Sequence, residues 1–437
     1  MESGKYSLSV ATTLVIANMV GTGVFTSLGY QVGPVPSVFA ILVLWAVGGI
    51  VALCGALSYA ELATALKRSG GEYLFLSRIF HPAFGFLSGW TSMMVGFAGA
   101  VSAVALAIGE YSHELFGVPV QVIAVAAILI VTVIHLFGVR TGGIAQNIFT
   151  GFKLSLILFF CISPFFIDFE GTGVSFLPGT GDLGIILSPG WAVSLVFVVY
   201  AYSGWNASSY IAGNMENPSR NLPRSLFTGT LVVMAIYLAL NAMFLAVAGF
   251  DELNGQNDIG NVVARKLFGH STALVFSGLF SIALLSTLSA MTIAGPRVGE
   301  AMGDDYPMLK VLSRKNRYGM PWPAIVFQSA WSVVLVLVSS FKGIIQYISV
   351  SLSWFTLFSV VALFFLRRSM KASDRVFSVP LYPVTPLVFI LATVWMIAYV
   401  TWNDPAVIAW SCGTVVVGLG LYFICLLYTS DAADDTP

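Results

Sequence analysis

Apolar residues along this 437-residue chain fall into long blocks separated by short polar interruptions. A helix rises about 1.5 Å per residue, so crossing the hydrocarbon core of a bilayer takes about 20 apolar residues. Blocks of that order lie at 8–29, 36–60, 84–109, 118–138, 144–166 and 190–213 in the first half. The second half adds 222–248, 272–296, 323–341, 343–366, 384–402 and 405–427. The pattern predicts an all-α membrane protein with twelve transmembrane helices, spans 1 to 12, in one domain over 1–428.

Two blocks are interrupted near their middles. Span 1 reads ANMVGTGVFTSLG from Ala17 to Gly29, although glycine costs about 1 kcal/mol relative to alanine inside a helix. Span 6 reads VYAYSGWNASSYIAGN from Val199 to Asn214, with the weak helix formers Ser203, Gly204 and Asn206 at its centre. Close helix packing on small residues accounts for glycines of this kind. A broken helix accounts for them too, and membranes tolerate one only where the freed backbone lines a cavity. Two interruptions five helices apart favour breakage, because transporters built from inverted repeats place discontinuous helices opposite each other. With spans 1–5 (8–166) and 6–10 (190–366) as repeats of odd helix number, the second necessarily enters from the opposite side, and 384–427 is accessory.

A break at Gly21-Thr22-Gly23 presents the amides that begin a half-helix, whose dipole favours an anion. It also frees carbonyls around Met19 and Val20, matched in span 6 by those of Tyr200, Ala201 and Ser203. Anion donors beside ammonium acceptors describe a site for a zwitterion, an α-amino acid being the obvious candidate. The spacing fits neither the dinucleotide fingerprint nor the P-loop.

Composition agrees with the membrane reading, since the chain is 57% hydrophobic and 9% charged, against about 25% charged for soluble proteins. No basic stripe points to nucleic acid. Sixteen basic residues, among them Lys5, Lys67, Arg68, Arg140 and Arg367, fall in one set of loops, and only Arg265, Lys266 and Lys342 in the other. By the positive-inside rule both termini of this multi-pass cell-membrane protein are cytoplasmic. Lys5 followed by an apolar run imitates a signal peptide, but eleven further spans argue against cleavage. Cys54, Cys161, Cys412 and Cys425 lie within spans without metal spacing, so neither a metal nor a cofactor is expected. The closing YTSDAADDTP, with 429–437 as a polar tail, resembles translated vector sequence and is assigned no function.

Several motifs resemble the amino acid, polyamine and organocation (APC) superfamily, and within it the amino acid permeases related to the L-amino acid transporters. They are Gly-Thr-Gly-Val in span 1, YAELATALKRSGGEYLFLSRIF at Tyr59–Phe80, YAYSGWNASSYIAGNMENPSRNLPRSL at Tyr200–Leu226 and AGPRVGEAMGDDYP at Ala294–Pro307. The resemblance implies a LeuT-like five-plus-five inverted repeat with helices 1 and 6 broken. Carried over by position, it implies that Thr22 and Gly23 bind the substrate carboxylate and that Met19, Tyr200 and Ser203 offer carbonyls to its amine. It also implies that Tyr200 closes over substrate, with Trp205 and Asn206 in the same motif, and that Tyr237 of span 7 bonds toward the span 1 break. Interior packing is the competing reading for the three aromatics.

Lys153 lies about 9 residues beyond Ile144, about 13 Å into span 5 and close to mid-membrane. There a lysine snorkels, faces a cavity or finds a partner. By resemblance, GFKLSL places an ammonium where sodium-coupled members hold a cation between spans 1 and 8, implying transport independent of sodium. A proton could then leave and return during transport. His135 is expected to be a satisfied interior histidine, and Glu61 and Arg297 either solvated or gate-forming pairs.

The expected function is secondary transport of small or apolar neutral L-amino acids by alternating access, with room beside Gly23 and Gly204 setting side-chain size. No acidic residue occupies the centres of spans 1, 3, 6, 8 or 10, which disfavours the alternative of a cationic amino acid or polyamine exchanger. A transporter-like nutrient receptor is the rival from another class. Scattered histidines exclude an enzyme, and no acidic ring or carbonyl filter suggests a channel. Substrate, lipid and protons as an open coupling partner complete the expected contacts, with no obligatory protein partner.

Overall fold

Backbone groups in a bilayer find no water, so the apolar blocks must satisfy their own hydrogen bonds as helices. The computed structural model describes residues 6–66, 71–137, 143–169, 171–371, 373 and 375–434. Among them, nine helices are long and apolar enough to cross a membrane, from Leu8–Tyr30 to Pro405–Leu427. Two shorter apolar helices, Val120–Leu136 and Trp322–Val338, occupy the fourth and ninth blocks. The block at 190–213 forms the helix Pro189–Tyr202, a turn, and a tighter helical segment Ala207–Asn214. No strand occurs among the described residues; Tyr6 and Met215 form an isolated bridge. Lys5, Lys67, Arg68 and Arg140 lie outside the described residues, as do the last three of the tail.

Several helices exceed their apolar blocks. Pro218–Leu253 and His270–Asp305 each run 36 residues, about 54 Å and well beyond the hydrocarbon thickness. Gly249, at φ 72°, interrupts the first of these beside Thr172, whose hydroxyl donates to the carbonyls of Leu245 and Ala246.

The chain forms two compact units, each drawn from three stretches. The first comprises Met1–Gly85, Ile157–Leu267 and Ser353–Pro405. Its centre is aromatic: Tyr237 meets Trp45 edge-on at 5.5 Å and Tyr202 at 5.1 Å. Trp191 donates its indole N–H to the Ala40 carbonyl at 2.9 Å, tying Pro189–Tyr202 to Val38–Leu66.

The same unit holds a buried ion pair. The Arg367 guanidinium donates through Nε to Glu61 Oε1 at 2.7 Å and through Nη2 to Oε2, and the amide of Val379 donates to Oε2 at 2.7 Å. Arg367 also lies 3.7 Å over the ring of Tyr382. Planarity matters for both contacts, since a guanidinium stacks and forks where an ammonium does neither. Arg367→Lys is expected to lower stability by about 1–2 kcal/mol, read as a lower thermal midpoint of the purified chain.

The second unit comprises Phe86–Leu156, Phe268–Leu352 and Ala406–Pro437. Ser112 and Ser281 hydroxyls pair at 2.7 Å, and Thr132 donates to Ser329 at 2.7 Å, so polar pairs tie its helices. A π-helical turn at Ser92–Phe97 widens one helix, and the Met94 carbonyl there accepts from Trp331 at 3.0 Å. His135 is buried against the Ser289 hydroxyl at 2.9 Å. Arg297 is half-exposed and pairs with Glu300 at 2.6 Å, which also accepts from Lys315 at 2.8 Å, a solvated cluster.

Candidate substrate site at two interrupted helices

Both interruptions fall where glycine and small polar residues weaken the helix. The first helix ends at Met19, with Val20 as an extended cap, and winding resumes at Gly23. In the other segment the helix ends at Tyr202, Ser203 turns outward at ψ 146°, and Gly204 takes φ 97°. A residue with a side chain would be strained at that angle.

The two breaks are seated in each other. A Cβ on Gly23 would lie 2.5 Å from the Cα of Ala201, and one on Gly204 would lie 2.9 Å from the carbonyl of Asn18. Each glycine therefore meets the end of the other segment's first half-helix. This corrects the expectation of spare room beside Gly23 and Gly204: both Cβ directions are filled by backbone. Open space lies instead at Gly21, where nothing comes within 4 Å of an added Cβ. Packing and breakage, posed as alternatives, coexist here.

The amides of Gly21, Thr22 and Gly23 find no backbone acceptor among the described residues. They lead into a half-helix and form a donor cluster suited to a carboxylate. The Thr22 hydroxyl pairs with the Tyr200 phenol at 2.8 Å, both buried, so the aromatic expected to close the site touches its donor cluster. The carbonyls behave differently. The Tyr200 carbonyl accepts from the Ser203 amide at 3.0 Å. Those of Met19 and Ala201 share one donor, the Tyr237 hydroxyl, at 2.7 and 3.0 Å.

Tyr237 thus bridges the two first half-helices at their carbonyl ends. Each carbonyl keeps a second lone pair for an ammonium. Removing the phenol hydrogen leaves both acceptors without that donor, at a cost of about 1–3 kcal/mol. Tyr237→Phe is therefore expected to lower the thermal midpoint and weaken amino acid binding, checked by thermal unfolding with and without ligand.

Lys153 belongs to the second unit. It is 4% exposed, and its ammonium donates to the Thr287 hydroxyl at 3.1 Å, so the side chain partners the His270–Asp305 helix instead of snorkelling. Trp205 packs edge-on against Tyr59 at 4.8 Å and Phe389 at 5.9 Å. Asn206 donates to Glu72 at 3.0 Å. Sequence reasoning passed over Glu72, although a glutamate following two glycines in a motif loop was a usable signal. It also left Arg367 unassigned as the partner of Glu61.

With that geometry in view, comparisons with known proteins are specific. The family profile described as amino acid permease matches residues 6–427. The serine/threonine exchanger SteT of Bacillus subtilis (strain 168) is 30% identical over 424 residues, covering 95% of this chain and 94% of that protein. The b(0,+)-type amino acid transporter 1 of Mus musculus is 28% identical, covering 95% of this chain and 86% of its own length. The Asc-type amino acid transporter 1 of Mus musculus is 26% identical, covering 98% and 82% respectively.

Proposed function

Because the chain belongs to the amino acid permease family, whose members are membrane transporters and not enzymes, we propose that it carries small or apolar neutral L-amino acids by alternating access, independently of sodium. The observation that supports this most is the mutual seating of two broken helices, with open amides at Gly21 to Gly23 and carbonyls at Met19 and Ala201 held by one phenol. In this reading the amides and the Thr22 hydroxyl take the carboxylate. The carbonyls of Met19, Val20, Tyr200, Ala201 and Ser203 supply acceptors for the amine, and Tyr200 closes over the bound molecule. Arrival of substrate exchanges the Thr22–Tyr200 bond for bonds to the carboxylate, so the gate senses occupancy. Trp205, Asn206 and Tyr237 set the position of the breaks.

The reading places twelve crossings in the membrane, counting Val120–Leu136, Trp322–Val338 and the interrupted segment 189–214 beside the nine longer helices. It arranges them as a LeuT-like five-plus-five inverted repeat with both termini cytoplasmic. Lys153 replaces a coupling cation, and the chain works without an obligatory partner. The names of the relatives, a serine/threonine exchanger among them, put serine and threonine first in a substrate panel.

The test is radiolabelled uptake by the purified chain in proteoliposomes preloaded with single amino acids, with and without sodium and a pH gradient. Uptake stimulated by internal neutral amino acid, and unaffected by sodium, is expected. Stimulation only by arginine or polyamine moves the substrate to the cationic class, and a sodium requirement rejects the role of Lys153.

A further inference from the structure

The half-helix that follows the first break, Gly23–Tyr30, ends on Gln31, which is fully buried. Its side-chain Oε1 accepts from the indole N–H of Trp45 at 2.8 Å. An indole nitrogen only donates, so the carboxamide oxygen must face it and the carboxamide nitrogen must face elsewhere. That nitrogen is buried and meets no acceptor among the described residues. Leaving a buried donor unmade is costly, and leucine would fill the same space without that cost. The acceptor end therefore carries the reason for a glutamine at this position.

Trp45, also fully buried, sits on Val38–Leu66 against two phenols. Its ring meets Tyr237 edge-on at 5.5 Å and Tyr202 at 6.0 Å, and its carbonyl accepts from the Tyr202 hydroxyl at 3.1 Å. The Tyr237 hydroxyl in turn donates to the carbonyls of Met19 and Ala201. Met19 precedes the break and Gln31 closes the half-helix beyond it. The two halves of this segment are thus joined twice: along the main chain through residues 20–22, and around it through Gln31, Trp45 and Tyr237.

We propose that Gln31 and Trp45 are positioning residues that splint the first break, fixing the Tyr237 phenol, and with it the carbonyls of Met19 and Ala201, relative to the amides at Gly21 to Gly23. The splint rests on the site reading in taking those amides and carbonyls as the two ends of an amino acid site. The two charges of a zwitterion are set apart by its own bonds, so affinity depends on how well donors and acceptors keep that spacing. Main chain that has left the helix lacks the ladder bonds that would keep it. The side-chain path supplies the constraint instead, through close-packed rings that yield little to displacement.

Gln31→Leu nearly keeps the volume, removes the acceptor and leaves the indole N–H unpaired. Its effect is read first as hydrogen–deuterium exchange, without substrate, in the full reconstituted chain. The amides followed are those of Val20 and Ser203, which bond the carbonyls of Ile16 and Tyr200 at the ends of the two first half-helices. Exchange at both is expected to speed at least about fivefold in Gln31→Leu and in Tyr237→Phe. Independent losses would multiply, but through one shared phenol the double variant should exceed Tyr237→Phe by no more than about twofold. The second reading is proteoliposome exchange of serine, where KM should rise at least about fivefold in Gln31→Leu with a smaller change in kcat. A merely structural loss lowers the amount of working carrier and leaves KM where it was. Should Gln31→Leu fail to fold, Trp45→Phe keeps an edge-on ring, deletes the N–H and carries the same expectations. Faster exchange confined to the neighbourhood of residues 31 and 45, multiplied effects in the double variant, or an unmoved KM overturns the splint. A chain that shows the coupled exchange yet carries no amino acid keeps the splint and loses the transport reading.

Discussion

Replacing Lys153 with alanine is expected to cut amino acid exchange at least about 100-fold, equivalent to about 2.7 kcal/mol in the rate-limiting barrier. The lysine is buried, its ammonium bonds Thr287 at 3.1 Å, and it lies near the middle of the Gly143–Ile162 helix. An ammonium at that depth is costly to hold, and the proposed reading gives it a task that an uncharged group cannot perform. Alanine removes both the charge and the bond to the His270–Asp305 helix, while the donor cluster at Gly21 to Gly23 remains. Binding should therefore survive better than turnover. Ligand-dependent thermal stabilisation measures the first and proteoliposome exchange the second. Unchanged exchange in Lys153→Ala rejects the assignment, whatever the binding result.

Glycine substitutions at the first break should separate sharply by position. Gly23→Ala directs a Cβ to 2.5 Å from the Cα of Ala201, a contact that only backbone movement relieves. Overpacking of this kind costs about 1–3 kcal/mol, occasionally more, and a main-chain neighbour cannot swing aside to relieve it. Gly204→Ala combines the same problem, at 2.9 Å from Asn18, with the strain of φ 97°. Both variants should lose transport and most of their thermal stability. Gly21→Ala is the control. Its Cβ meets nothing within 4 Å, so the fold should be kept, and the added methyl should instead exclude the larger substrates of the panel. Equal tolerance at positions 21 and 23 would refute the mutual seating of the breaks.

The positions of both breaks are legible in the sequence, because glycine and short polar residues at the centre of an apolar block weaken a continuous helix on local grounds alone. That the chain crosses a membrane many times is legible too, since hydropathy depends on composition alone. What hydropathy cannot carry is azimuth, meaning which face of each helix meets which neighbour. That is why Glu61 and Arg367, 306 positions apart, cannot be paired from the pattern of spans, and why the glycines read as bordering space when they border Ala201 and Asn18. Tyr237 is legible as a bond toward the span 1 break through resemblance, but its bonds to both Met19 and Ala201 depend on two segments meeting at one point. Glu72 is legible only in part: the two glycines before it mark the position, but a glutamate in a loop reads as solvated until the segment covering it is known.

The interlocked glycines also bear on mechanics. With Gly23 lodged against Ala201 and Gly204 against Asn18, the four half-helices share a single pivot. Swinging any one of them first requires lifting a main-chain contact on its counterpart, so this carrier should rock as a coupled joint rather than bend at two independent elbows.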